Sequence, residues 1–368
     1  MRRLEKISIE GFKSIQEQTL ELGALNVLIG GNGTGKSNLI QAFRFLREIE
    51  RGSLSTYSLE RGADNLLFFG RKRTKAIKLH LEFGEGGSSN AYRIHLTPSD
   101  EGALVVASEV VSFHDRTNYL KPFDRAINSG SKEAVIGTIK DRIATYVRRD
   151  LSSYFVYHFH DTSDSAAVKQ PGPLEDNRVL RPDAGNLAAF LYSLKQTQPG
   201  HYENIQSVVR QVAPFFDRFT LEPSKLSPDK IRIEWLEKRS EAYFNAIALS
   251  DGTLRFMCLA ALLLQPRLPA IVLLDEPELG LHPSAISLIA ELLKAAAQRT
   301  QVIVSTQSVT LVNQFSPEEV WTVERREGAT VFNHLGKIDL KEWLDEYEGC
   351  EGFSLGELWE KNVIGGRP

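Results

Sequence analysis

The most constraining feature of this sequence is a glycine-rich segment, GGNGTGKS, at residues 30–37. It follows an apolar run, ALNVLIG, and it precedes a segment whose apolar side chains recur at helical spacing. A strand, a glycine-rich turn and a helix in this order match the pattern G-x-x-x-x-G-K-[S/T] of a phosphate-binding loop, or P-loop. Because such a loop follows a buried strand, we expect an α/β fold with a largely parallel sheet.

Each residue type in this segment has a chemical reason to be there. Glycines let the backbone curl until successive N–H groups point at one phosphate group. Lys36 supplies a positive charge for the terminal phosphates during binding and catalysis, and the Ser37 hydroxyl can bind Mg²⁺. The segment therefore predicts a site for ATP and Mg²⁺, and its other binding residues are Gly30, Asn32, Gly33, Thr34, Gly35 and Asn38. A glycine-rich turn that matches by chance is the alternative.

A second motif, IVLLDEP, lies at residues 271–277. Four apolar residues are typical of a buried strand, and two carboxylates follow at its carboxyl end, where α/β sheets bind their ligands. Asp275 is the candidate Mg²⁺ ligand together with Ser37, and Glu276 is the candidate general base that polarises the attacking water. Alone the pattern is common, but after a P-loop it predicts ATP hydrolysis.

A third motif, LSDGT at residues 249–253, comes just before that strand. A serine followed by glycine at the start of a helix is an anion-binding arrangement, although it is also an ordinary helix cap. A P-loop, a long interval, a Ser-x-Gly cap and then DEP is the order found in ABC-type ATPases. The chain resembles that family over residues 1–110 and 230–330, and specifically its RecF/SMC/OLD-like branch of DNA-associated AAA-family ATPases.

The resemblance implies a P-loop NTPase fold of the α/β class. This ABC-type ATPase head would have a mixed or parallel core sheet, an N-terminal antiparallel β subdomain and an inserted helical lobe. The head segments would be residues 1–111 and 231–335, with the mostly helical lobe at 112–230 and a tail at 336–368. No heptad pattern persists in the lobe, and the tail is too short for a Toprim nuclease domain, so we expect neither a long coiled coil nor that domain.

The resemblance also assigns roles across a dimer. Ser250 and Gly252 would contact the γ-phosphate held by the opposite subunit, and ELGLHP at residues 278–283 would be the interfacial D-loop. Lys13, in the opening EGFKSI, would lie near the nucleotide, although a solvated surface lysine is equally consistent. The expected partner is thus a second copy of the chain, in a homodimer or higher homo-oligomer that sandwiches ATP.

One position departs from the family pattern, because Gln307 stands where a switch histidine is usual. A neutral amide can hydrogen-bond the γ-phosphate but cannot carry a proton, so Gln307 is a catalytic candidate that indicates slow turnover. The family's Q-loop has no clear counterpart; the segment near its place is FVYHFHDTS at residues 155–163. Its His158, His160 and Asp161 indicate either a metal site without an evident third ligand or side chains packed beside the nucleotide.

The charge of the chain limits where it could contact DNA. The chain has 44 Lys and Arg residues against 47 Asp and Glu residues, a net charge of −3, so any DNA contact would need a local basic patch. The segment RKRTKAIK is the candidate patch, with a charge-protected strand edge as the alternative. Its proposed DNA contacts are Arg71, Lys72, Arg73 and Lys75.

Cys258 and Cys350 cannot form a disulfide framework, which is consistent with a reducing compartment. The opening MRRLEKISIEGF lacks the apolar stretch of a signal peptide, and no apolar run reaches membrane-spanning length. We therefore expect a cytoplasmic protein without a membrane partner.

The favoured function is an ATP-binding and ATP-hydrolysing head that dimerises around ATP and acts as a switch or motor in DNA repair or anti-phage defence. It would control DNA or a separate effector or nuclease chain. Two alternatives stay open: a nucleotide-gated scaffold with very slow hydrolysis, which Gln307 favours, and a transporter ATPase subunit.

Overall fold

The computed structural model describes residues 2–337 and 354–366; Cys350 and residues 338–353 of the predicted tail lie outside this part. The helices are α1 (Lys36–Glu50), α2 (Leu54–Arg61), α3 (Ala63–Leu66), α4 (Gly70–Arg73), α5 (Arg142–Leu151), α6 (Leu187–Thr197), α7 (Pro199–Val212), α8 (Asp251–Leu264), α9 (Pro283–Ala297), α10 (Val309–Val312) and α11 (Leu355–Glu360). None of the described helices is both long enough and apolar enough to cross a membrane.

The strands form two large sheets and two small ones. Their bounds are β1 (Arg3–Phe12), β2 (Ile15–Glu21), β3 (Leu25–Ile29), β4 (Ile77–Glu85), β5 (Ser88–Pro98), β6 (Leu104–Asp115), β7 (Phe123–Asn128), β8 (Tyr154–Tyr157), β9 (Gly172–Pro173), β10 (Phe216–Phe219), β11 (Lys230–Ile231), β12 (Glu234–Glu237), β13 (Tyr243–Asn245), β14 (Ile271–Asp275), β15 (Gln301–Thr306), β16 (Val320–Arg326) and β17 (Ala329–His334).

The central sheet has six strands in the order β17-β16-β3-β15-β14-β8. The five strands from β16 to β8 run parallel, and only β17 is antiparallel to its neighbour. Every residue of β3 and of β15 is buried, as expected for parallel strands covered on both faces. The mixed, mainly parallel core that the sequence predicts is therefore confirmed.

The second large sheet is antiparallel, in the order β2-β1-β4-β5-β6-β7. Its β4 alternates as the sequence predicts: Ile77, Leu79, Leu81 and Phe83 are at most 1% exposed. Strand β4 pairs with β5 across a short turn, because the glycines after β4 permit a tight reversal. The predicted hairpin of the N-terminal antiparallel subdomain is thus present.

The central sheet separates two hydrophobic cores. Along β14, Ile271 and Leu273 pack into the core shared with α1 and the antiparallel sheet. The alternate residues Val272 and Leu274 pack into the core formed with α6 to α9. Helix α1 therefore packs between the two sheets, and this packing fixes its N-terminus near the carboxyl end of β3.

The range 112–230, predicted as an inserted lobe, contains strands as well as helices. Strand β7 adds to the antiparallel sheet, and β8 pairs in parallel with β14 of the central sheet. Helices α6 and α7 pack against α8, which continues the head. Since parts of this range belong to both sheets, the boundaries of the lobe stay a prediction.

Candidate nucleotide-binding site

The site lies where three parallel strands end. Strand β15 lies between β3 and β14, and the register pairs Thr306 with Ile29 and Ser305 with Asp275. The segments that follow these strands consequently meet at one edge of the sheet, which is where open α/β sheets bind ligands. The P-loop therefore lies beside the two carboxylates at the carboxyl end of β14 and the residues that follow β15.

The conformation of the P-loop needs its glycines. Gly33 and Gly35 have φ of +78° and +108°, values that residues with a side chain rarely adopt. A Cβ on Gly30 would lie 2.3 Å from the Val323 carbonyl oxygen, and one on Gly35 would lie 2.0 Å from the Thr330 hydroxyl. Any larger residue at position 30 or 35 would therefore displace the loop from β16 and β17.

A hydroxyl and amide network holds the loop from outside. The Thr330 hydroxyl donates to the Thr34 carbonyl at 2.8 Å and lies 2.6 Å from the Ser14 hydroxyl. The Asn38 side-chain amide donates to Ser14 at 2.6 Å. The sequence analysis did not identify Ser14 or Thr330, because neither lies in a recognisable motif and their contacts join distant parts of the chain.

Lys36 is turned into the loop. Its ammonium group donates to the carbonyls of Gly31, at 3.0 Å, and of Gly30, and the residue is only 5% exposed. Burial lowers the pKa of Lys36, while Glu276 and Asp275 oppose that shift. The ammonium is therefore held at the centre of the loop, facing the carboxylates that follow β14.

The residues at and just beyond the carboxyl ends of β14 and β15 are hydrogen-bonded to each other. Asp275 accepts a hydrogen bond from the Ser305 hydroxyl, and Glu276 accepts one from the Gln307 side-chain amide. The same Gln307 amide donates to the Asn32 side-chain oxygen at 2.9 Å. Gln307 thus bridges the P-loop and the candidate general base.

Glu276 has a φ of +45°, which is uncommon for a residue with a side chain. Its N–H donates to the Ser305 carbonyl at 2.9 Å, and this contact continues the strand pairing one residue beyond β14. Backbone strain of this kind persists only where the surroundings enforce it, and it is concentrated at functional sites. The conformation aims the Glu276 carboxylate across the end of β15.

These groups surround a cavity of about 310 Å³, a size at the lower end for small-molecule sites. Its lining consists of Gly31, Asn32, Gly33, Gly35, Lys36, Ser37, Asn38, Glu276, Gln307 and Arg325. Arg325 was not found from the sequence, because it lies in a mixed run of charges, ERRE, that matches no motif. Two cationic side chains, Lys36 and Arg325, and one carboxylate, Glu276, line this cavity, charges that suit a polyphosphate with a metal ion. The part formed by Glu276 and the neighbouring Asp275 is called its acidic end below.

A second cavity of about 310 Å³ shares Asn38 and Arg325 with the first. Lys13, Phe68 and Phe69 are among its other lining residues. Burial, followed by the charge of Arg61, lowers the pKa of Lys13. Lys13 therefore lies beside the P-loop cavity and is partly enclosed.

Ser37 and Asp275 offer oxygen ligands, the type that Mg²⁺ prefers. Since Mg²⁺ keeps several waters and usually takes only one or two protein ligands beside phosphate oxygens, this pair fits the ion. Among the described residues, no group of three or more His, Cys, Asp and Glu side chains is arranged for a metal. His158, His160 and Asp161 thus do not form such a group.

The segment after β8 packs beside the acidic end of the site. The His160 ring nitrogen Nε2 lies 2.8 Å from the Asp275 backbone oxygen, and the rings of His158 and His160 are 4.1 Å apart. Burial, and then the neighbouring His160, lowers the pKa of His158. These histidines therefore border the candidate magnesium ligand from the side opposite to Gln307.

Glu278, the first residue of the predicted D-loop, is a further site residue that sequence reasoning missed. Its carboxylate accepts from the Thr306 hydroxyl and, at 3.3 Å, from the Gln307 N–H. The side chain is buried, and burial raises its pKa. Glu278 thus joins the start of the D-loop to the end of β15.

The motif LSDGT at residues 249–253, which resembles the signature motif of ABC-type ATPases and is called the signature loop below, lies outside the P-loop cavity. Ser250 caps α8, accepting from the Thr253 N–H at 3.3 Å, and it is exposed. A Cβ on Gly252 would lie 2.4 Å from the Gly280 carbonyl oxygen, so the signature and the D-loop are in close contact. In the described part of the chain, neither Ser250 nor Gly252 lines the P-loop cavity.

The basic segment after α3 is partly engaged in contacts within the chain. Arg71 forms an ion pair with Asp64 at 3.0 Å, and the Arg73 guanidinium lies over the Phe69 ring at 4.8 Å from its centroid. The Lys75 ammonium donates to the Arg71 carbonyl at 3.1 Å. The patch is thus a short helix, α4, and its neighbours rather than a strand edge.

A family model described as "AAA domain, putative AbiEii toxin, Type IV TA system" matches residues 25–313. This range contains the P-loop, the signature, the acidic pair and Gln307. The chain belongs to this AAA family. No curated protein sequence matches the chain.

Solved structures of SMC heads have the same fold as this AAA-family chain. An SMC head bound to the C-winged helix domain of ScpA has a TM-score of 0.61 at 17% identity, over 91% of this chain and 98% of that one. A Pyrococcus furiosus Smc head bound to the C-terminal domain of ScpA gives 0.60 at 16%, over 95% and 100%. The Thermotoga maritima SMC head gives 0.50 at 15%, over 90% and 98%. The ABC-type ATPase head fold predicted from the motifs is therefore confirmed.

Proposed function

We propose that this chain binds and hydrolyses ATP as one head of a nucleotide-dependent pair. The observation that carries the proposal is the separation of two groups of residues. Lys36, Glu276 and Gln307 converge on one cavity, whereas Ser250 lies outside it at an exposed helix start. A helix N-terminus attracts phosphate, so the α8 terminus would complete the site of a second copy.

In this proposal the P-loop of one chain holds the phosphates of ATP. The curled backbone presents its N–H groups, and Lys36 exchanges its contacts with the Gly30 and Gly31 carbonyls for phosphate oxygens. The second cavity, which contains Phe69 and Lys13, would take the nucleoside end because it adjoins the P-loop cavity. Aromatic faces suit a base, since stacking tolerates any base edge.

Hydrolysis would use the acidic end of the cavity. Ser37 and Asp275 would hold Mg²⁺, which neutralises charge on the phosphate oxygens. Glu276 would orient and polarise the attacking water, and Gln307 keeps the carboxylate of Glu276 in place through its side-chain amide. Because Gln307 cannot carry a proton, we expect a slow switch rather than a fast motor.

We further propose that the pair acts on a partner, either DNA or a separate effector or nuclease chain, in DNA repair or anti-phage defence. Two of the comparisons support a partner: the family description names a putative toxin of a type IV TA system, and two SMC heads were solved with ScpA domains. Direct DNA contact would use Lys72 and Lys75 more than Arg71, because Arg71 is already paired with Asp64. Addition of duplex DNA to the ATPase assay tests this part, since unchanged turnover at every DNA concentration would exclude a DNA-stimulated ATPase.

The test of pairing is the change Glu276→Gln, which removes the general base but keeps the shape of the side chain. Turnover should fall by about 10²- to 10⁴-fold, while ATP and Mg²⁺ should give a stable species of twice the 41.2 kDa chain mass by light scattering. The ADP complex of the same variant, measured alongside, should stay at the single-chain mass.

Two results would contradict the proposal. Normal hydrolysis by the Glu276→Gln variant would remove the general-base role, and a mass that does not respond to ATP would remove the nucleotide-dependent pair. Very slow hydrolysis by the unaltered protein together with ATP-dependent pairing would favour the nucleotide-gated scaffold.

A further inference from the structure

One side chain, Arg255, joins the start of helix α8 to two other segments of the chain. Its Nη1 donates to the Leu279 carbonyl at 2.8 Å, its Nη2 to the His160 carbonyl at 2.9 Å and its Nε to the Phe159 carbonyl at 3.3 Å. All three acceptors are backbone oxygens, so the planar guanidinium fixes the paths of two segments at once. Lysine could not reproduce this arrangement, because its ammonium is a single point donor.

Both segments held by Arg255 lead directly to the acidic end of the same chain's cavity. The His160 ring lies 2.8 Å from the Asp275 backbone oxygen. The Leu279 N–H donates to the Glu276 carbonyl at 3.2 Å. Arg255 and Glu276 also line one small cavity. A displacement of Asp275 or Glu276 therefore reaches Arg255 through a single intervening residue on each side.

The signature loop and the D-loop also pack tightly against each other next to Arg255. A Cβ on Gly280 would lie 2.9 Å from the Arg255 Nη1 atom, and a Cβ on Gly252 would lie 2.4 Å from the Gly280 carbonyl oxygen. Gly280 also has a φ of +77°. Close-packed parts of a protein transmit displacements because they have no free volume to absorb them. The signature loop and the D-loop are thus built to move together.

We propose that Arg255 couples the nucleotide bound in a head's own cavity to the signature loop that the head presents to its partner. This inference rests on the proposed paired function. Arg255 is a positioning residue, since it acts through the backbones of residues 159–160 and 279. When Asp275 and Glu276 adjust around a bound γ-phosphate, Arg255 carries that change to the first turn of α8. Each head would then cap its partner's ATP more effectively when its own site holds ATP.

The test uses hydrogen exchange in a chain that cannot pair, so that any response of the signature loop comes from within one head. The parent is a Ser250→Arg variant, whose monomeric state is checked by sedimentation in ATP and Mg²⁺. Exchange is followed at residues 30–37 and at 249–254, with ATP, with ADP and without nucleotide. The same measurements are made after a second change, either Arg255→Lys or Arg255→Gln.

In the parent, ATP should slow exchange at both segments, and ADP should slow it at residues 30–37 only. With either change at Arg255, the response at 30–37 should persist, whereas the ATP response at 249–254 should fall at least about fivefold. In the otherwise unaltered chain, Arg255→Lys should lower kcat and leave the Kd for ATP unchanged. The loss of kcat follows because each head would cap its partner less well.

An equal ATP response at 249–254 with and without Arg255 would overturn the coupling while leaving the proposed function intact. The coupling would also be overturned if an Arg255 variant raised exchange at 249–254 by the same factor with and without ATP. In that case Arg255 would stabilise the loop whether or not nucleotide is bound. Absence of any response at 30–37 in the parent would overturn the nucleotide site itself, and the coupling with it.

Discussion

Two helices of this protein begin with anion-binding patterns, yet their surroundings are opposite. The start of α1 is enclosed: a Cβ on Gly35 would collide with the Ser14 and Thr330 hydroxyls, and Lys36 is 5% exposed. The start of α8 is open: Ser250 and Asp251 are exposed, and the Ser250 hydroxyl contacts Thr253 within its own first turn. In the proposed function, the first terminus encloses a phosphate group within the chain, and the second meets one carried by another molecule.

The largest effect expected at the enclosed terminus comes from Lys36→Ala. Its ammonium faces the charges of Glu276, Asp275 and Glu278, and its removal takes the cation away from the centre of the phosphate-binding loop. ATP affinity should fall more than about 100-fold, because charge-assisted contacts contribute about 1.5–3 kcal/mol each and 1.4 kcal/mol is a factor of ten. Titration with a fluorescent ATP analogue measures this loss.

The matched control is Lys132→Ala, which removes a lysine whose surface pair with Glu101 is exposed on both sides. Its ATP affinity should be unchanged. Retained affinity in Lys36→Ala would mean that residues 30–37 are not the phosphate site.

The change Gln307→Ala tests the hydrolytic part of the enclosed site. It removes the amide that bridges Asn32 and Glu276. We expect kcat to fall about 10- to 100-fold, below the loss for a whole oxyanion-hole donor, with ATP affinity within about twofold. Gln307→His keeps a ring N–H donor and adds a proton carrier, so its steady-state rate should equal or exceed that of the unaltered chain. Unchanged turnover in Gln307→Ala would remove this residue from the mechanism.

A smaller effect on catalysis is expected at the open terminus from Ser250→Ala. Loss of the α8 cap should lower the free energy of unfolding by about 1 kcal/mol. Turnover should fall about tenfold, because the partner's phosphate loses one contact. ATP binding to the single chain should not change. The control is Ser354→Ala, since Ser354 caps α11 in the same way. Equal losses of turnover in both variants would show that the effect is on folding.

The smallest effect expected is that of Phe69→Ala in the second cavity. Phe69 is 52% exposed, has a φ of +54° and lies under the Arg73 guanidinium, so it is a prearranged stacking surface. ATP affinity should fall about fivefold, as expected for about 1 kcal/mol of stacking. Leu59→Ala is the control, because Leu59 is 53% exposed. If inorganic triphosphate, which has no base, loses affinity equally, Phe69 does not contact the base.

The local patterns of the sequence were enough to predict the P-loop, the buried strand before Asp275 and the hairpin of β4 and β5. Each of these features is determined within about ten residues, through glycine spacing, an apolar run or strict alternation. The confirmed fold followed from the order of such motifs along the chain.

The residues that support the site could not be predicted in this way. Thr330 is joined by hydrogen bonds to Ser14 and to Thr34 of the P-loop over about 300 positions of sequence, and no motif or periodicity marks Ser14 or Thr330. Strand β8 has only four residues in a loop-rich region, so its place beside β14 was not evident. Arg255 was overlooked because an arginine in an apolar helix carries no signal of the three carbonyls that it binds.

The central claim, that an enclosed site of one chain is completed by the open terminus of another, is tested most directly by mixing two inactive variants. Lys36→Ala cannot hold its own ATP, and Ser250→Arg cannot cap that of its partner. A mixed pair has one composite site with both parts intact, so equal amounts should recover activity, up to about a quarter of the unaltered ATPase rate for a symmetric dimer. A mixture no more active than the sum of the two variants measured separately would contradict the paired site.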